Sequence, residues 1–335
     1  MNCLAEVSLD NPLVSIVVPN FNYANFLERR FQSILDQSIS SREIIFLDDA
    51  SVDDSVKLVK EKYKDLIAKS DVNSVNSGSP FVQWNKGVRL SSGKYIWIAE
   101  ADDTCAPNFL EKAISVLEDN PSVGLVYCHT LPVDVNDRIL DENFFVSYVS
   151  DLDVSRWLKD FQNSGIDEVR DYISRKNTIT NVSGVVFRRA AYLKAGYAPE
   201  TMRMCGDWMF YCHLLRYFDV AYISEPLNFH RQHPAKQTTN SVLNLTYFRE
   251  FLAVQDYLKK DFSLSAAQRQ RAFYRFLGEW DRLMFSNYGR ISFAGNLSIA
   301  RMALKNYFEI SELLVIFWHA VLNGLRTVLY KWLRR

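Results

Sequence analysis

Four short stretches of this 335-residue chain gather side chains that can do chemistry. The first, "YIWIAEADDTC", runs from the apolar Tyr95-Ile96-Trp97-Ile98-Ala99 straight into Glu100, Asp102 and Asp103. Three carboxylates within four residues repel one another unless something positive sits among them. A hard divalent ion, Mg²⁺ or Mn²⁺, takes oxygen ligands and often keeps phosphates in the rest of its shell. A cation site is therefore one reading, and a solvated strand end beside a helix cap is the other. Neighbouring carboxylates on a strand end face opposite ways, so Asp102 and Asp103 should do different work.

The second stretch, "FLDDASVDDS", ends a β-branched run on Asp48 and Asp49. Asp53 and Asp54 suit a helix cap. Asp49 closes a buried strand, where a bare carboxylate needs a donor, and a nucleobase imide N–H would serve. Pro19-Asn20-Phe21-Asn22 ends an earlier strand; its amides either face the same crevice or simply turn the chain. In the third stretch, "GDWMFYCHLL", Asp207 leads an apolar helix after Gly206. Asp there is a common N-cap, or a general base held by a rigid helix. In the fourth, "LNFHRQHP", His233 could be a structural histidine or could complete a metal shell. Arg231 beside it could meet phosphate oxygens.

The elements that must position these groups alternate along residues 13–130. "LVSIVVP", "REIIFLDD", "KYIWIAEADD" and "SVGLVYCHT" read as strands, and "NFLERRFQSILDQS", "SVDDSVKLVKEKYKDLI", "FVQWNKGVRLSS" and "PNFLEKAISVLEDN" as helices between them. Such alternation predicts an α/β fold, a mostly parallel sheet with helices on both faces. Ligands then bind beyond the carboxyl ends of the strands, where both acidic clusters fall. Residues 131–180 are polar and read as long loops or a flap, and after about 240 long amphipathic helices replace the strand signals. The expected division is a tail over 1–12, a catalytic domain over 13–240 and a helical extension over 241–335.

Taken in order, "VSIVVPNFNYANFLERRFQSILDQS", "EIIFLDDASVDDS", "NSGSPFVQWNKGVRLSSGKYIWIAEADD", "GDWMFYCHLL" and "LNFHRQH" resemble a glycosyltransferase of family 2 with the GT-A fold, over roughly residues 13–235. The resemblance implies an inverting, metal-dependent transferase that takes its sugar from a nucleotide-diphosphate donor. It implies that Pro19, Asn20, Asn22 and Asp49 hold the nucleotide, with Asp49 on the base. It gives Asn76, Gly78, Asn85 and Gly87 the border of the nucleotide, and sets Asp102 near the ribose. Asp103 and His233 would bind Mn²⁺ or Mg²⁺, and Asp207 would be the catalytic base. Two positions depart from the family: Gly206 replaces the usual acidic residue before the base, and Trp84 stands where Arg is frequent. UDP- or dTDP-linked donors are the implied class. The acceptor would be a glycan, lipid-linked in one reading, within O-antigen or capsule synthesis. A nucleotide-binding module without turnover and a Mg²⁺-dependent phosphohydrolase are the alternatives from other classes.

The bulk composition narrows the field. Lys plus Arg equals Asp plus Glu, 39 each, so no global field draws in nucleic acid. Cys3, Cys105, Cys128, Cys205 and Cys212 are odd in number and form no CxxC pair, which suits reduced thiols in a cytoplasm. The polar start shows no signal-peptide pattern, and no apolar run is long enough for a spanning helix. The closing segment, 311–335, reads as an amphipathic helix with Leu314, Phe317, Trp318, Val321, Leu325, Val328, Leu329 and Trp332 on one stripe. Packing on the protein is one use for it; peripheral contact with the inner face of the cell membrane is the other.

Overall fold

The computed structural model describes residues 11–232, 245–286, 291–305 and 310–333. Two compact units interleave along the chain. The first takes Met1–Gly165, Ile179–Glu200 and His213–Pro234; the second takes Ile166–Thr178, Thr201–Cys212 and Ala235–Arg335.

The first unit is a sheet layered with helices. Its strands are β1 (Val14–Asn20), β2 (Arg42–Asp48), β3 (Lys69–Val72), β4 (Tyr95–Ile98), β5 (Thr104–Cys105), β6 (Val123–Val133), β7 (Phe161–Asn163), β8 (Val185–Arg188) and β9 (Asp219–Arg231). They order as β3-β2-β1-β4-β8-β6-β9-β5, with β7 also on β9. β1 and β4 are buried along their whole length, as strands covered on both faces must be, and this explains their unbroken apolar runs. β1 pairs in parallel with β2, from Val14↔Arg42 to Asn20↔Asp48, and with β4, from Val14↔Tyr95 to Val17↔Ile98. That common register brings Asn20, Asp48 and the Glu100–Asp103 segment out at one edge of the sheet. Beyond β4 the sheet is mixed, because β8 runs antiparallel to both β4 and β6.

Helices α1 (Ala24–Leu35), α2 (Ser55–Lys62), α3 (Pro80–Leu90) and α4 (Phe109–Asp119) connect these strands, followed by α5 (Phe144–Val149), by α6 (Gly165–Glu168), of which only Gly165 belongs to this unit, and by α7 (Arg189–Ala195). α1 buries Leu27, Phe31 and Ile34 at helical spacing. α3 packs closely on β1: a Cβ on Gly87 would stand 2.2 Å from Cγ1 of Val17, so only glycine lets the helix lie there. This helix ends at Leu90, three residues before Gly93. Gly93 lets its backbone approach Ser15, whose hydroxyl accepts its N–H.

In the second unit, α8 (Gly206–Leu215) begins among residues 166–178 and 201–212, and α9 (Thr246–Asp261), α10 (Ala266–Ser286), α11 (Phe293–Ala303) and α12 (Ile310–Leu333) follow. Phe248, Phe251, Phe276 and Trp280 form its buried aromatic centre. No described helix is long and apolar enough to cross a membrane.

Candidate active site

At the carboxyl edge of β1 and β2 the polar side chains are tied to one another. Asn20 Nδ2 donates to Asp48 Oδ2 at 2.7 Å and to the Ser51 hydroxyl at 3.1 Å. Ser51 accepts the Asn22 N–H, and Asn22 Oδ1 accepts that of Val52. Asn22 is exposed and left-handed, with φ 60°. Asn20 Oδ1 is buried with no hydrogen-bond partner. Pro19 is buried within β1, opposite Leu47. Asp53 caps locally, as its sequence context suggests, through Oδ1 to the Ser55 N–H. Its other oxygen accepts the N–H of Ala24 at the start of α1.

Asp49 finds its donors inside the chain. Asn73 Nδ2 reaches it at 2.6 Å, Gln83 Nε2 at 2.8 Å, and Ser77 through both hydroxyl and N–H. Its backbone carbonyl accepts from Asn76, whose Oδ1 in turn accepts from Gly78, a left-handed residue at φ 74°. Asp49 therefore organises the Asn73–Ser79 loop along the edge. Asn85 lies elsewhere, with its amide on Ala198 O and Glu200 and its oxygen on Ala198 N and the Tyr192 hydroxyl. Those bonds fill its side chain, which clips residues 198–200 to α3.

The acidic segment follows β4 as a turn rather than a strand end, so strand alternation does not govern it, and Asp102 and Asp103 are both buried. Asp103 points inward and is 1% exposed. Its Oδ2 accepts from Asn181 Nδ2 at 2.9 Å and Ser183 Oγ at 2.8 Å, and Oδ1 accepts the Arg231 N–H at 2.9 Å. Burial pushes its carboxyl upward, but the charges of His230 and Arg30, with the Arg231 and Asn181 donors, hold it below the usual range. Arg231 is fully buried in β9, its guanidinium spent on the carbonyls of Asp102 and Asp134 and the carboxylate of Asp137. It braces the acidic segment from behind. Arg30 of α1 does the same through Nε to the Glu100 carbonyl at 2.8 Å.

Burial and the neighbouring Asp102 charge push the Glu100 carboxyl up to about 8, against the opposing pull of the Trp84 indole and Arg30. The indole N–H of Trp84 donates to Glu100 Oε1 at 2.7 Å, so the residue that departs from the family pattern anchors this carboxylate. The Tyr23 hydroxyl is raised by burial and then by Asp102, Glu100 and Asp103, which places a phenol beside the cluster. Arg30, Tyr23 and His230 escaped the sequence reading because each joins the segment through the fold. His233 lies outside the described residues, and among the described residues no three acidic, histidine or cysteine side chains converge as a metal cage.

In the second unit Asp207 occupies the first turn of α8. Asn177 donates to its Oδ2 at 2.9 Å. Burial drives the carboxyl up to about 6, partly opposed by the N–H of Trp208 and the Asn177 amide and assisted by the charge of Glu250. Glu250, on α9, accepts the successive N–H groups of Arg203, Met204 and Cys205, each at 2.8 Å. One buried carboxylate thus fixes the three residues leading into Gly206-Asp207.

The family to which the chain belongs follows from its sequence relatives. The sequence profile described as "Glycosyl transferase family 2" matches residues 15–191, more than half of the chain. The chain belongs to glycosyltransferase family 2. It is thus an enzyme of the glycosyltransferase class, as its motifs imply. An uncharacterised glycosyltransferase of Nostoc sp. is 30% identical over 132 residues, which are 38% of this chain and 40% of the Nostoc protein. A second, from Rickettsia prowazekii, is 25% identical over 330 residues, 97% of each chain. Among solved structures, S. aureus TarS 1-349 in complex with UDP-GlcNAc superposes with a TM-score of 0.72 at 13% identity, over 95% of this chain and 91% of that one. The mannosyltransferase PcManGT from Pyrobaculum calidifontis, in complex with GDP-Man and Mn²⁺, gives 0.52 at 16% identity, over 95% and 87%. Likeness at these identities is likeness of fold, and it agrees with the GT-A architecture expected of a family 2 glycosyltransferase.

Proposed function

We propose that this family 2 glycosyltransferase moves a sugar from a nucleoside-diphosphate donor to a hydroxyl of a glycan acceptor, inverting the anomeric carbon. The observation that carries the reading is the convergence of Asn20, the Asp49-organised loop and the Glu100–Asp103 segment at one sheet edge. A UDP-linked donor is the first choice, since TarS was captured with UDP-GlcNAc, and a dTDP-linked one is its rival. Pro19, Asn20, Asn22, Asn76 and Gly78 would line the nucleotide side, with Asp49 holding their loop in place for the base. Asn85 and Arg231 would act behind that surface, since their polar atoms are engaged within the protein.

The acidic segment would suit a divalent cation, because the repulsion that raises Glu100 is what a positive charge would relieve. Mn²⁺ or Mg²⁺ would be held from Asp102 and Glu100, with donor phosphates in the rest of the shell. PcManGT, of the same fold, holds Mn²⁺ with GDP-Man. Asp103 would set the segment's geometry from within, since three protein donors already occupy its oxygens. When bound, such a cation offsets charge gathering on the departing diphosphate, an effect worth several kcal/mol.

Asp207 would take the proton of the acceptor hydroxyl as that oxygen attacks the anomeric carbon from the face opposite the leaving group. A carboxyl raised to about 6 is ionised at neutral pH yet more basic than an ordinary aspartate. Asn177 holds its orientation through Oδ2. One displacement inverts the centre, and no protein nucleophile is called for. The acceptor would be a growing surface polysaccharide, O-antigen or capsule, met at the inner face of the membrane.

A panel of nucleotide sugars, each tested for thermal stabilisation with and without Mn²⁺, examines the donor. A cation-dependent rise in Tm with one nucleotide class is expected. No rise with any nucleotide removes the reading. A rise without transfer to any acceptor leaves a binding module, and phosphate released from simple esters points to a hydrolase.

A further inference from the structure

The last helix, α12, turns one edge, with Ile316, Ala320 and Asn323, toward the protein and a second, apolar edge to solvent. His319 Nε2 and Asn323 Nδ2 both reach the carboxylate of Asp281 on α10, at 3.1 Å each. Ile316, Ala320 and Asn323 are buried on that side. On the opposite side Leu314, Phe317, Trp318, Leu322 and Leu325 are between 47% and 60% exposed. Their spacing keeps them on a single stripe of the helix. A helix that serves only the core buries such a stripe; here Asp281 binds the other edge and holds the apolar one outward.

Charge says what covers it. Residues 291–335 carry six Lys or Arg against two Glu, in a chain whose net charge is zero. A second copy of the chain would bring two such positive segments together, whereas anionic lipid offers the opposite sign. With no described helix fit to cross a bilayer, α12 would lie along its surface. We propose that the exposed face of α12 seats in the interfacial layer of an anionic membrane, its apolar stripe among the acyl chains and its basic neighbours at the headgroups. This specifies the surface behind the membrane-face part of the function above, and it stands or falls without any donor or transfer.

The test is co-sedimentation of the full chain with phosphatidylcholine vesicles, with and without phosphatidylglycerol. Binding that requires phosphatidylglycerol and weakens with salt is expected. The double substitution Phe317→Ser with Trp318→Ser should weaken it roughly tenfold or more, because the lost apolar area no longer enters the lipid. Tm should stay unchanged, these side chains being exposed. Should that variant unfold, Leu322→Ser with Leu325→Ser asks the same question. The proposal is overturned if the chain ignores anionic vesicles, or if the folded variants bind as well as the parent. It is equally overturned if sedimentation velocity shows a dimer that the same substitutions dissociate.

Discussion

Asn177 donates its side-chain amide to Oδ2 of Asp207 at 2.9 Å, within the same unit that holds the 203–205 backbone on Glu250. The carboxylate is thereby oriented from one side and its loop fixed from the other, an arrangement suited to a base that must not turn. Replacing Asp207 with Asn keeps the shape and removes the proton acceptor. Transfer should fall by about 10²–10⁴-fold, the usual worth of a positioned base, while UDP binding survives. Tm should not fall, since burial of a charge is relieved. Steady-state kinetics beside a thermal melt checks both.

The raised Asp207 carboxyl sets a pH limb. Transfer should be full above about pH 6 and decline about tenfold per unit below it, as the base becomes protonated. Stability runs the other way for this group. Its folded pKa lies above the unfolded value, so its stabilising contribution is present at low pH and is lost as pH rises through about 6. Comparing melts of the parent and Asp207→Asn across pH 4–7, a window of about three units around this shift, isolates that contribution.

Glu250 should act on the base through the loop. Glu250→Ala leaves the N–H groups of Arg203, Met204 and Cys205 without their carboxylate, and a displacement of about 1 Å at the base can cost on the order of 10²-fold in rate. Glu250→Gln keeps an acceptor oxygen and should lose less. Without its negative charge, the acid limb of the pH profile should also move to lower pH. Unchanged UDP affinity in both variants, by calorimetry, would separate this effect from a general loss of structure.

Asp102 and Asp103 should respond differently although they are adjacent. Asp103→Ala strands the donors of Asn181, Ser183 and Arg231, and removes a charge facing Arg30, so a loss of roughly 3–5 kcal/mol is expected in denaturant melts. Asp102→Asn should cost less stability than Asp103→Ala, because it also removes a source of the repulsion felt by Glu100. It should instead abolish the Mn²⁺ dependence of donor binding.

The local devices of the fold were legible in the sequence, and its long-range contacts were not. The buried runs of β1 and β4 and the apolar spacing of α1 announced themselves, because each follows from the period of its own element. β3 did not, since Lys69–Val72 is an edge strand with three exposed residues and no alternation to read. The position of Asp49 at a strand end was plain, whereas its donors Asn73, Ser77 and Gln83 arrive 24 to 34 residues later. Arg231 read as a residue that could meet phosphate oxygens; it sits in β9 and spends its guanidinium on backbone carbonyls and Asp137. The amphipathic stripe near the C-terminus was visible as well. Asp281 decided which edge of that helix met the protein, and nothing local to 311–335 could have told it.

The most direct measurement is anomalous scattering from crystals of the full chain grown with UDP and Mn²⁺. A manganese peak beside Asp102 and Glu100, bridged to a diphosphate whose nucleoside lies along Asn20 and the Asn73–Ser79 loop, is the expected result. UDP bound away from the carboxyl ends of β1, β2 and β4, or a manganese peak remote from the acidic segment, would contradict the proposed site.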